Sequence, residues 1–195
     1  MSFRIEEKLY FKPENLTQFR EYLTKKTAKK LHSPRIIESL YFDNINLDMY
    51  RDSIEGSVPR KKIRVRYYPG TDDKKNYLEI KTSSVEGRYK TRKIIDIQEF
   101  DFYRKNGILD KSYGTCIPNF FVSYEREYAI FADVRISIDK NITYRNFKTD
   151  KCFYDNNSIV ELKTSITKDY DDLVKSFPFQ KIRFSKYCFA VENLN

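Results

Sequence analysis

The sequence predicts an α+β fold dominated by antiparallel strands, about eight of them, with helices packed on one face of the sheet. Three observations lead there. Apolar and charged residues alternate with period two in segment after segment, which is the pattern of strands with one apolar and one polar face. Turn-forming stretches separate these segments at hairpin spacing. The 195 residues, 40% hydrophobic and 33% charged, suffice for one domain with a substantial core. No linker, internal repeat or low-complexity tract interrupts them, so residues 1–195 read as a single domain.

The first strand is expected over 2–11. Pro13 then opens a helix, since the first helical position does not need the N–H that proline lacks. Leu16, Phe19 and Leu23 give it an apolar stripe to about Lys26. Strands follow over 36–43, 60–68 and 76–82. The segment PGTDDKKN between the last two is turn chemistry and makes them a hairpin. A strand over 87–96 follows the turn SSVEG, and a helix over 97–106 ends at Gly107. Strands are expected again over 121–131, 132–139 and 158–164. A helix over 168–177 carries Tyr170, Leu173, Val174 and Phe177 and stops before Pro178. A last strand is expected over 183–191. A set of this size can close into a barrel, which removes its edges.

Charge narrows the function. With 37 Lys and Arg against 28 Asp and Glu, the net charge is +9, which points to an anionic partner. Five glycines leave no phosphate-cradling glycine loop, and neither GxxxxGK[ST] nor GxGxxG occurs. Cys116, Cys152 and Cys188 fit no zinc spacing and no disulfide framework. His32 is the sole histidine, which removes histidine metal clusters. The N-terminus lacks an apolar signal core and no stretch is long enough to span a bilayer. The expectation is a soluble, cytoplasmic protein.

The distribution of charge is more informative than its sum. In KKIRVRYY at 61–68, Ile63, Val65 and Tyr67 alternate with Lys62, Arg64 and Arg66. Same-face neighbours lie roughly 7 Å apart, where like charges repel by roughly 2 kcal/mol at an effective dielectric of about 20. The polar faces of other strands are similar: Arg4, Glu6 and Lys8; Glu79 and Lys81; Arg88, Lys90 and Arg92; Tyr124, Arg126 and Tyr128; Arg135, Ser137 and Asp139; Glu161 and Lys163. Two arrangements satisfy this pattern. In an open sheet the charged face meets water. In a closed barrel with helices outside, it lines the bore and needs anions, or water and counterions, there. Cations mixed with a few carboxylates also suit a metal–polyphosphate site, because Arg and Lys neutralise phosphate oxygens and carboxylates hold a hard divalent cation.

The segments RIEEK (4–8), SLYFDN (39–44), KIRVRYY (62–68), YLEIKT (77–82), GRYKTRK (87–93), YEREY (124–128), VRISID (134–139), VELK (160–163) and FSKY (184–187) occur in this order over nearly the whole chain. Together they resemble the triphosphate tunnel metalloenzyme (CYTH-like) superfamily, and within it the VTC-type polyphosphate polymerase domain. The resemblance implies an eight-stranded antiparallel β-barrel tunnel with helices outside and a basic lining for triphosphate or polyphosphate. It implies transfer of the ATP γ-phosphate to a growing phosphate chain, with Mn2+ or Mg2+. Carried over by motif, Lys8, Arg64, Arg66 and Lys81 would act on phosphate, as would Lys90, Arg126, Arg135 and Lys186. Arg4, Lys62 and Arg92 would add charge to substrate binding, and Tyr124 and Ser185 hydrogen bonds. Glu161 would be the principal metal ligand. Glu6 and Glu79 would be further ligands or would orient neighbouring cations. Plainer roles are open for several of these: Glu6 as a salt-bridge partner of Lys8 or Arg4, Lys163 as a partner of Glu161, Tyr41 and Tyr128 as core or rim packing, and Asp139 as a strand-end cap or a partner of Arg135.

The first motif is RxExK, not the ExExK of the triphosphatase and cyclase branches, so that strand has one carboxylate fewer for a two-metal hydrolase. Three rivals stay open. One is a tripolyphosphatase or nucleoside triphosphatase using the same tunnel. Another is a non-catalytic polyphosphate-binding module. The last is a nucleic-acid binder that stacks bases on Tyr67, Tyr68 and Tyr89; it leaves the carboxylates on the basic faces unexplained. No motif indicates a protein partner, and transport across a membrane is not expected.

Overall fold

A computed structural model describes residues 4–72, 74–165 and 170–195, apart from the side chain of Arg4. Ten strands and five helices follow one another among the described residues. They are β1 (Arg4–Phe11), α1 (Pro13–Lys25), β2 (Lys29–Asp43), α2 (Asp48–Glu55), β3 (Arg60–Tyr67), β4 (Asn76–Ser84), β5 (Gly87–Ile95), α3 (Ile97–Asn106), β6 (Ile108–Asp110), β7 (Gly114–Phe131), β8 (Val134–Asn146), β9 (Cys152–Asp155), β10 (Ser158–Ser165), α4 (Tyr170–Ser176) and α5 (Lys186–Leu194). Residues 2–3 of the expected first strand, Asp73 of the expected turn and residues 168–169 of the helix expected over 168–177 lie outside the described residues. No helix among the described residues is long and apolar enough to cross a membrane.

The strands form one antiparallel sheet in the order β1-β10-β8-β7-β2-β3-β4-β5, with β6 added to β7 and β9 to β8. The expected α+β class with a dominant antiparallel sheet holds; in detail the described residues form ten strands rather than eight, two of them very short, and the sheet runs from β1 to β5 without closing. Alternation fixes which face a residue occupies and not whether the last strand meets the first. The edge of β1 is partly satisfied by the segment before α5, where Ile182 N–H donates to the Lys8 carbonyl at 2.8 Å. The edge strand β5 carries Arg88, Lys90, Arg92 and Lys93, cations of the kind that blunt an open edge.

The chain divides into two compact units, each built from several segments. The first comprises residues 1–36, 124–142 and 154–184. Its core is the apolar face of the strands: Leu9 and Phe11 of β1, Val134, Ile136 and Ile138 of β8, Val160 and Leu162 of β10. Phe19 and Leu23 of α1 and Leu173 of α4 cover that face. Pro13 opens α1 as its ring permits.

The second unit comprises residues 37–123, 143–153 and 185–195. Leu40, Phe42, Ile63 and Val65 meet Met49 of α2 and Phe100 of α3 in its core. Asp96 caps α3 by accepting the Glu99 N–H at 2.7 Å. Gly107 ends α3 at φ +80°, and a Cβ there would stand 2.7 Å from the Cys116 carbonyl oxygen, so only glycine fits.

The expected last strand over 183–191 is instead the helix α5, Lys186–Leu194. Ser185 caps it by accepting the Cys188 N–H at 3.4 Å. Tyr187, Ala190, Val191 and Leu194 are buried; their spacing of three, one and three is helical. The run Phe184–Val191 is rich in aromatic residues and reads as a strand only if that spacing is ignored. The helix α2 carries no strong sequence signal. Its N-terminal amides are capped from a distance, by the Asp43 carboxylate on Met49 and Tyr50.

Candidate functional site

Strand register brings the charged residues into rows. In the first unit, β1 and β10 align Lys8 with Glu161 and Glu6 with Lys163. Strand β8 continues these rows with Ser137 opposite Glu161 and Arg135 opposite Lys163. Part of this face is withdrawn from water: Glu161 is 7% exposed, Asp139 1% and Tyr124 3%.

Buried charges need partners. Arg126 supplies one as a two-point clamp on Asp139, Nε to Oδ1 at 2.5 Å and Nη2 to Oδ2 at 2.7 Å. Asp139 is therefore the partner of Arg126, not of Arg135. Burial works against the Arg126 charge, but Asp139 beside it holds the guanidinium well above its usual range. Glu161 receives Lys163 Nζ at 2.9 Å and lies 3.9 Å from Arg126 Nη2. The Glu6 carboxyl hydrogen-bonds to it. Burial would raise its pKa; Glu6, Lys163, Arg126 and Lys8 together hold Glu161 well below the usual carboxylate range. Lys8 is anchored by its Nζ on the Phe184 carbonyl at 2.6 Å. Arg135 is exposed and makes no ion pair among the described residues.

The second unit has a different balance. On β3, β4 and β5 the register runs Lys62–Lys81–Lys90 in one row and Arg64–Glu79–Arg92 in the next. Arg66 follows on β3, opposite Tyr77. Six cations share these strands with one carboxylate, and Arg64, Arg66, Lys90 and Arg92 lie within 4 Å of it. Glu79 is 1% exposed. Its Oε2 takes Arg64 Nη2 at 2.6 Å and Nε at 2.9 Å, with Arg66 Nη1 at 3.9 Å. Its Oε1 takes Lys90 Nζ at 2.5 Å and lies 3.6 Å from Arg92 Nε. Burial opposes ionisation of Glu79, yet Arg64, Arg66 and Lys90 bring its pKa down to about 2. Burial also pushes the Lys90 ammonium below its ordinary value, and Glu79 only partly opposes this. Arg66 is 7% exposed and donates from Nε to Ser39 Oγ at 3.2 Å.

Three lysines directly opposite one another are destabilising in an empty sheet. Lys62 finds an acceptor in Ser185 Oγ at 2.9 Å, the same oxygen that caps α5. Lys186 is the first residue of α5, and its charge reaches Tyr41. The Arg4 side chain lies outside the described residues.

Because Glu79 has a depressed pKa in the fold, its contribution to stability is fully present above about pH 4.5 and is lost as pH falls toward about 2. Wild type and Glu79→Gln should therefore differ in urea midpoint at pH 6, with the gap narrowing below about pH 4.5 and closing as pH reaches about 2. A gap that stays constant through this window would mean that the Glu79 charge does not organise the cations.

Among the described residues no group of three or more His, Cys, Asp and Glu side chains converges as a metal site. Glu161 and Glu6 do form a hydrogen-bonded pair of carboxyls. A hard divalent cation typically takes one or two carboxylates and fills its shell with water and phosphate oxygens. The pair fits a metal of that kind. Glu79 is different, since cations already occupy both of its oxygens.

Among solved structures the fold is shared with a protein from Bacillus halodurans described as a candidate adenylate cyclase, with TM-score 0.64, 11% identity, and coverage of 100% of this chain and 98% of that one. A protein from Vibrio parahaemolyticus with the same description has TM-score 0.57 and 11% identity, covering 98% of each chain. A conserved hypothetical protein from Pyrococcus furiosus has TM-score 0.54 and 16% identity, covering 91% of this chain and 92% of that one. No curated protein matches the chain. The fold is the triphosphate tunnel fold. Within that class, the chain belongs to the VTC domain family, which it matches over residues 3–195. Family and fold connect it to triphosphate and polyphosphate chemistry.

Proposed function

We propose that this chain catalyses metal-dependent phosphoryl transfer on a triphosphate or polyphosphate, and that it is a polyphosphate polymerase using the γ-phosphate of ATP. The observation that carries the reading is the row Lys62–Lys81–Lys90 beside the half-buried Arg64 and the buried Arg66, with Glu79 as the one carboxylate among them on these three strands. Such a concentration of cations is relieved by phosphate oxygens, and arginine can meet them with two parallel bonds.

In this reading Arg64, Arg66, Lys81 and Lys90 hold phosphate, with Lys62 and Arg92 adding charge. Glu79 orients these cations. Lys8, Arg126, Arg135 and Lys186 act on phosphate as well, Tyr124 and Ser185 add hydrogen bonds, and Arg4 adds charge. Glu161 and Glu6 would hold Mn2+ or Mg2+, which when bound neutralises and polarises the phosphoryl group being transferred. Phosphoryl transfer depends mainly on positioning and charge stabilisation. A phosphate chain as acceptor already carries an anionic oxygen, so no side chain need act as a strong base. Water as acceptor would need orienting, and the second carboxyl at Glu6 gives a hydrolase reading its support.

Phosphorus NMR of the protein incubated with ATP and Mn2+, quenched with chelator at intervals, separates these readings. Growth of an internal-phosphate signal together with ADP is expected. Orthophosphate without internal phosphate would replace the polymerase by a triphosphatase. Unchanged ATP, with inorganic tripolyphosphate also left intact, would leave only a binding module.

A further inference from the structure

Tyr41 is 7% exposed and sits directly opposite Arg64 in the β2–β3 register. Arg64 Nη1 donates to its hydroxyl at 2.9 Å. The same guanidinium is held along its other edge by Glu79, through Nε and Nη2. The Tyr41 ring is itself fixed. It stacks on Tyr187 of α5, with ring centres 5.4 Å apart and planes 20° from parallel. Tyr187 is 1% exposed, and its hydroxyl donates to Asp43 Oδ2 at 2.6 Å. Asp43 is fully buried and makes no ion pair among the described residues. Its carboxylate accepts the backbone N–H groups of Asn44 at 2.8 Å and of Met49 and Tyr50 at 3.0 Å. The last two belong to the N-terminal turn of α2, where a negative charge is favoured.

These contacts run from the α2 backbone through Asp43, Tyr187 and Tyr41 to the Arg64 guanidinium. As core filling they make poor sense. Phenylalanine would occupy both tyrosine positions with no hydroxyl to bury, and a buried carboxylate is costly unless fully hydrogen-bonded. They make sense as a brace. Nearby cations also act on Tyr41, whose hydroxyl is held below its ordinary pKa by Arg64, Arg66 and Lys186 against the opposing effect of burial.

We propose that Tyr41, braced by Tyr187 and Asp43, is a positioning residue that fixes the plane of the Arg64 guanidinium and so sets the direction from which Arg64 meets a phosphate oxygen. This rests on the reading of the β3–β5 face as a phosphate binder. A guanidinium held along both edges loses little freedom on binding, and pre-organisation of this kind strengthens recognition.

The test uses the full chain and the variants Tyr41→Phe, Tyr187→Phe and Arg64→Lys. One readout needs no ligand: nitrogen-15 NMR of the Arg64 Nη atoms, assigned by their loss in Arg64→Lys. Separate Nη1 and Nη2 signals are expected in the wild type, from slow rotation about Nε–Cζ, and merged signals in Tyr41→Phe. Tyr187→Phe keeps the ring stack but cuts the link to Asp43, so it should speed the rotation less. The second readout is calorimetry with inorganic tripolyphosphate. Tyr41→Phe should weaken binding about 5- to 10-fold, the size of one ordinary hydrogen bond. In the Arg64→Lys background the same change should matter less than about 2-fold. A merely structural tyrosine would give the same loss in both backgrounds, and that result, or unmerged Nη signals in Tyr41→Phe, would overturn the proposal. Absence of tripolyphosphate binding by the wild type would instead overturn the phosphate reading, and the brace would then be decided by the Nη signals.

Discussion

Replacing Arg64 and Arg66 together by alanine should weaken tripolyphosphate binding at least about 100-fold, since each arginine offers charge-assisted bonds to phosphate worth about 1.5–3 kcal/mol. The variant should still fold. Glu79 would keep Lys90 at 2.5 Å and Arg92 at 3.6 Å, although losing its shortest arginine contacts should lower the urea midpoint. Tripolyphosphate should raise the melting temperature of the wild type and leave that of the variant unchanged. Calorimetry and thermal unfolding together check this. A folded double variant with wild-type affinity would place phosphate binding elsewhere.

The second large effect is expected at Glu161. Glu161→Gln keeps the shape of the side chain and removes the charge that Lys163, Arg126 and Lys8 now face. Metal-dependent turnover of ATP or tripolyphosphate should fall by at least about 100-fold, as when a group that acts in the transition state is removed. Tripolyphosphate should still bind without metal, because the amide leaves the six cations of β3–β5 untouched. Loss of metal-free binding together with turnover would mean that Glu161 only organises the cations around it. Full turnover in Glu161→Gln would transfer the metal to other ligands.

Much of this was legible in the residues. The alternation of Ile63 and Val65 with Lys62, Arg64 and Arg66 is enough to give β3 and its charged face, and the same holds for β4, β8 and β10. Pro13 and Gly107 mark helix ends because their backbone requirements are local. Other features depend on information that alternation does not contain. Whether a charged face is wet depends on what covers it, so the 1% exposure of Glu79 and Asp139 could not be read in advance. The role of Glu79 depends on register, because only the pairing Arg64–Glu79–Arg92 shows that its oxygens are taken by cations. Sequence proximity offers Asp139 a strand-end cap or a pairing with Arg135, whereas Arg126 clamps it from the adjacent strand β7. The helix α5 was obscured because aromatic residues suit strands, while the spacing of Tyr187, Ala190, Val191 and Leu194 carried the better signal. Tyr41 was read as packing because its contacts come from β3 and α5, far away in sequence.

The central claim is that the β3–β5 face is built for a chain of phosphates. Calorimetric titration of the full chain with inorganic tripolyphosphate, at about 50 and about 200 mM salt, tests it most directly. The account predicts saturable binding that weakens markedly at the higher salt and is lost in the Arg64→Ala/Arg66→Ala variant. Absence of binding at the lower salt, or binding that the double variant retains, would contradict it.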